Sequence, residues 1–180
     1  GPDSMRVLDS VAEWVEHGAT ALLGNHDDLF LEWLNGKESI YYYGQIGGIA
    51  TINSGLRRLG MEPLESWQLE KDGKLEERVR ESLRRAFSRQ ISFLQSLPLY
   101  KRESDIVYVH AGINPKDGLE KTRRVELLNI RDEFIFGYKG DERIIFGHTR
   151  TKRIHRSDRV YFGPNRTIGI DGGCAFGGQL

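Results

Sequence analysis

A single cysteine, Cys174, stands in the 180 residues. An internal disulfide is therefore excluded, and a lone thiol mildly favours a reducing compartment, so a cytoplasmic location is expected. Net charge is also lacking. Lys and Arg total 26 and Asp and Glu total 26, which leaves no bulk basic field to draw the chain to nucleic acid or to an anionic membrane. A local basic patch remains possible at residues 152–159. No apolar run approaches the roughly 18 residues of a membrane-spanning helix, and no signal-like start is present. Linkers, low-complexity stretches and long internal repeats are missing too. With 38% hydrophobic and 29% charged residues, the composition suits one soluble domain over residues 1–180, large enough for a real core.

What the chain does contain is a short design used three times. An apolar run reaches a glycine at Ala21-Leu22-Leu23-Gly24 and then delivers Asn25-His26-Asp27. Ile106-Val107-Tyr108-Val109 ends in His110-Ala111-Gly112, and Ile144-Ile145-Phe146 ends in Gly147-His148-Thr149. Each run reads as a buried strand that closes on a histidine beside a small residue. In open α/β sheets, ligands bind beyond the carboxyl ends of strands, so histidines far apart in sequence can meet there.

Around these runs the pattern is helical. Gly1-Pro2-Asp3-Ser4 reads as a loop and N-cap for a helix carrying Leu8, Val11, Ala12 and Val15, stopped by Gly18. Asp27 and Asp28 suit the start of a second helix with Phe30, Trp33 and Leu34 on its apolar face. Val79, Leu83, Phe87, Ile91, Leu94 and Leu97 predict one long amphipathic helix covering the sheet, closed by Pro98, with Arg78, Arg80, Arg84, Arg85 and Arg89 as a solvated face. Tyr41-Tyr42-Tyr43 is read as packing. A short helix is predicted over about residues 125–134, and a hairpin joins residues 159–162 to 167–170.

Imidazole nitrogens and a side-chain amide oxygen are ligands for zinc, iron and related divalent ions. The repeated context makes His110 and His148 ligand candidates. Asn25 and His26 are neighbours and cannot easily face one ion together. We assign Asn25 to the metal and His26 to proton exchange with a leaving group, since imidazole titrates near neutral pH. His17 and His155 lack the strand-end setting and are read as surface residues. Asn25, His110 and His148 are all neutral, however, and a paired-metal hydrolase needs carboxylates to offset its charge. Neither Asp27 nor Asp171 supplies a convincing bridge.

Gly24-Asn25-His26-Asp27, Val109-His110-Ala111-Gly112 and Gly147-His148-Thr149 resemble the last three motifs of the calcineurin-like metallophosphoesterases, and in particular bacterial members related to serine/threonine protein phosphatases. Gly1-Pro2-Asp3-Ser4, Ile130-Arg131-Asp132-Glu133-Phe134 and Ile170-Asp171-Gly172-Gly173 resemble further segments of that family. The likeness covers residues 1–36 and 97–180, with a variable helical segment at about 37–97. The resemblance implies an α/β/β/α sandwich, two packed mixed sheets flanked by helices. It also implies a site for two divalent ions (manganese, iron or zinc) in the complete protein. Asn25, His110 and His148 match metal ligands, His26 the general acid, and Arg131 an arginine that binds substrate phosphate. The family's Asp-x-His and Gly-Asp-x-x-Asp-Arg motifs would precede Gly1, so the fold is expected to be incomplete at its N-terminus. The expected activity is hydrolysis of phosphate monoesters on a phosphoprotein or a small phosphorylated substrate. The alternatives are hydrolysis of diadenosine polyphosphates and an inactive fragment.

Overall fold

The first 97 residues fold almost entirely as helices. The computed structural model describes residues 1–180, with ten α-helices and five β-strands. They divide into two compact units, one of residues 1–21 and 26–97 and the other of residues 22–25 and 98–180.

In the helical unit, α1 (Ser4–Glu16) begins one residue earlier than expected, with Asp3 at the N-cap, and ends before Gly18, whose φ is +98°. Helix α2 (Asn25–Leu34) buries Phe30, Leu31, Trp33 and Leu34. Helices α3 (Ile40–Gln45), α4 (Gly48–Arg58) and α5 (Ser66–Lys71) follow. The predicted long helix is two, α6 (Gly73–Ala86) and α7 (Ser88–Ser96), separated at Phe87, whose φ of −115° leaves the helical range. Its apolar face does not cover a sheet. Val79, Leu83, Phe87 and Leu94 instead join Met5, Trp33, Tyr43, Ile52 and Leu56 in a helical core. Tyr43 packs as expected, its ring 6.0 Å from that of Trp33, whereas Tyr41 and Tyr42 are exposed. The arginine face is only partly solvated. Arg80 pairs with Glu76 at 2.6 Å, both largely buried, and lies over the Trp33 ring, while Glu76 also accepts from Trp33 Nε1 at 2.8 Å.

The other unit is built on a five-stranded mixed sheet of order β1-β2-β3-β5-β4. Strands β2 (Ile106–Val109), β3 (Arg143–Phe146) and β5 (Thr167–Gly169) are mutually parallel in the centre. Strand β1 (Tyr100–Glu103), which the periodicity did not signal, and β4 (Tyr161–Phe162) run antiparallel at the edges. The expected hairpin is the β4–β5 pair. Helices α8 (Arg124–Asn129), α9 (Asp132–Gly137) and α10 (Thr151–His155) complete the unit. Val107, Val109, Ile113, Leu127, Phe134, Ile144 and Phe146 form its core.

Two further expectations need correction. The first apolar run, Ala21-Leu22-Leu23, is neither strand nor helix, and its Leu23 N–H donates to the Pro98 carbonyl at 3.0 Å. One sheet is present rather than two packed sheets: the seven elements before Tyr100 are all helices, and all five strands belong to a single sheet. No helix is long and apolar enough to cross a membrane.

Candidate functional site

Strand register places the two later histidines. Val109 is paired with Phe146 at the carboxyl ends of β2 and β3, so the residues that follow leave the sheet at the same level. The ladder runs one step further, with Gly147 N–H donating to the His110 carbonyl at 2.9 Å. The imidazole rings of His110 and His148 then lie 5.1 Å apart, centre to centre.

His148 sits in an unusual backbone. Its φ is +61°, and Thr149 N–H closes back on the Gly147 carbonyl at 2.6 Å, making a three-residue turn with the histidine at its apex. Such a conformation is strained for a residue with a side chain, by roughly 1–3 kcal/mol, and survives where surroundings over-determine it. Thr149 is fully buried, and Ile170 N–H holds the Phe146 carbonyl at 2.9 Å just before the turn. The small residues beside the histidine were visible in sequence, but the turn was not.

The irregular segment 21–24 leads to the third group. Asn25 Oδ1 lies 2.9 Å from His110 Nε2, so in this tautomer the ring N–H donates to the amide oxygen. The half-buried Asn25, His110 and His148 are therefore brought together, as the sequence suggested. Arg131 is not inside a helix: it is the N-cap of α9, in the break between α8 and α9, and its Nη1 lies 3.3 Å from the His148 carbonyl and 3.4 Å from Thr149 Oγ1. Ala111 and Gly112 follow His110 into the core, where a Cβ on Gly112 would meet the Phe134 ring at 2.2 Å.

His26 belongs to the helical unit, at the start of α2, where it lines a cleft with Ser4, Leu8, Phe30 and Thr51. Burial holds its imidazolium below the usual histidine range, and the neighbouring Asp27 only partly opposes this. His17 and His155 are exposed, as expected, and each is bonded to a local backbone carbonyl.

The donor chemistry fits a cation in part. Two imidazoles and an amide can share one divalent ion, but no three His, Cys, Asp or Glu residues gather anywhere to hold a metal. Asp171 is spoken for locally: its Oδ1 accepts from Gly173 N–H at 2.9 Å. The residues present thus supply three neutral donors and no carboxylate.

No family model matches the chain. Bis(5'-nucleosyl)-tetraphosphatase PrpE [asymmetrical] of Bacillus velezensis is 29% identical over 199 aligned residues, covering all of this chain and 68% of that protein. The protein of the same name from Bacillus subtilis is 27% identical, again over the whole chain and 69% of its own length. The chain is a distant homologue of these tetraphosphatases. A crystal structure of a candidate diadenosine tetraphosphatase matches 97% of the chain with a TM-score of 0.52 at 18% identity, and the chain spans only 64% of it. That likeness concerns the fold alone.

Proposed function

We propose that this chain is the larger part of a calcineurin-like metallophosphoesterase that hydrolyses dinucleoside polyphosphates. The observation that carries the reading is the convergence of Asn25 and His110, with His148 beside them, at the ends of parallel strands. The choice of substrate is supported by the relatives, which are named for dinucleoside tetraphosphate cleavage. Nothing comparable supports the phosphoprotein substrate expected from the motifs, and that expectation is set aside.

Asn25 Oδ1, His110 Nε2 and a ring nitrogen of His148 would hold divalent metal. Bound there, manganese, iron or zinc would supply Lewis-acid stabilisation of phosphoryl charge. To accept an ion, His110 must give up the Nε2 proton it now shares with Asn25 and carry its proton on Nδ1. Arg131 has donors beyond those directed at the His148 turn, and a guanidinium matches phosphoryl oxygens in a bidentate fashion. His26 is assigned to proton delivery at the leaving oxygen. A nucleotide phosphate leaves as a stable anion, so this help matters less for a phosphoanhydride than for an alkyl ester.

The test compares diadenosine tetraphosphate with a phosphoserine peptide as substrates of the whole protein in manganese, products separated by chromatography. Unequal nucleotide products from the first, at a much higher kcat/KM, are expected. Faster release of phosphate from the peptide would restore the phosphoprotein reading, and turnover of neither would remove the enzymatic one. The charge deficit favours a second outcome for the 180 residues alone, namely that they bind metal without turning over.

A further inference from the structure

Residues 150–166 hold six basic residues and one acidic residue, Asp158, in a chain whose charges cancel only over its whole length. Elsewhere many basic side chains are tethered: Arg58 to Asp9, Arg80 to Glu76, Arg89 to Glu16, Arg102 to Glu142. In this segment Arg153 is paired with Asp132 at 2.8 Å, but Lys152, Arg156 and Arg159 are exposed and make no ion pair. Aromatic rings lie among them. His155 on α10 packs against Tyr161 on β4 with ring centres 5.4 Å apart, and the Arg150 guanidinium lies 4.2 Å over the exposed Phe176 ring. Unspent cations interleaved with flat rings are what a flexible phosphate backbone carrying stackable bases requires. An anionic bilayer would also meet the charge, but it offers no bases to lie against the rings set beside these cations.

We propose that the surface of α10 and the following turn, Lys152, Arg156 and Arg159 with the His155–Tyr161 pair and Phe176, binds single-stranded nucleic acid. This goes beyond the hydrolytic reading and does not rest on it, because it concerns binding by groups outside the candidate site. It also departs from the expectation, drawn from overall neutrality, that nucleic acid is not a partner: total charge averages away a local field.

The experiment is fluorescence anisotropy of a labelled twelve-residue oligoadenylate with the 180-residue chain across a salt series. Three phosphate contacts predict a slope of log K against log salt of about −2. The K152Q/R156Q/R159Q variant should bind at least tenfold more weakly with most of that slope gone, and Phe176→Ala should weaken binding without changing the slope. Phe162 is exposed too, but it alternates with Tyr161 on β4 and so faces the other side of the sheet, and Phe162→Ala should leave binding unchanged. Circular dichroism melts confirm that each variant is folded. Undiminished binding by the triple variant would overturn the proposal. So would equal competition by inorganic polyphosphate of matched charge, or stronger binding to phosphatidylserine vesicles than to the oligonucleotide.

Discussion

His110 Nε2 and Asn25 Oδ1 meet at 2.9 Å across a sequence separation of 85 residues. One residue follows the end of a central strand, and the other follows an irregular segment outside the sheet. Two polar groups are brought far through the chain to face each other, with a second imidazole alongside, and these are the three residues of the proposed donor set.

Metal binding tests that set directly. Titration calorimetry of the 180-residue chain with manganese should show at most one ion bound, weakly, because three neutral donors cannot offset a second dication. Asn25→Ala, His110→Ala and His148→Ala should each lower affinity by at least about tenfold, while His17→Ala and His155→Ala should not. Identical isotherms for all five would remove the assignment.

The role of His26 separates by leaving group. In the whole protein, His26→Ala should cost about 100-fold or more in kcat on an alkyl phosphate, the usual range for general acid help, and far less on nitrophenyl phosphate or a phosphoanhydride. An equal loss on all three would mean that His26 acts in some way other than as proton donor.

Gly112 has a φ of +155° and no room for a side chain, since a Cβ would lie 2.2 Å from Phe134. Gly112→Ala should destabilise the chain by about 1–3 kcal/mol through forced displacement of that core ring. Chemical denaturation measures it, and a variant as stable as the parent would contradict the packing described.

Glu126 accepts from Arg123 Nε and Arg123 N–H at 3.0 Å and from Asn114 Nδ2 at 2.7 Å. Its bonds to the Arg123 side chain and backbone, then to Asn114, pull its pKa down to about 2 from 4.5. A carboxylate depressed on folding contributes stability above its unfolded pKa and loses it as pH falls through the folded value. Glu126→Gln should therefore lower the melting temperature at pH 7. The gap to the parent should narrow between roughly pH 4.5 and pH 2 and close below that. A gap independent of pH would show that the carboxylate's charge is not what matters.

Much of the local structure could be read in the residues. Helical spacing gave α1, α2 and the apolar face of α6 and α7, because a 3.6-residue period is a property of neighbouring side chains. The runs before His110 and His148 became β2 and β3, whereas their parallel pairing was shown only by the ladder. The run before Asn25 looked just as strand-like and is none, since a strand exists only where a partner offers its hydrogen bonds, and here Pro98 supplies one.

The sequence by itself determined which side chains could carry metal and phosphate chemistry, and that His110 and His148 would stand at strand ends. Only the tertiary structure decided that Val109 and Phe146 end level, that His148 turns back at φ +61°, and that Arg131 caps a helix instead of lying within one. Propensity is set by a few neighbours along the chain, whereas convergence depends on register and long-range hydrogen bonds, which no window of sequence contains.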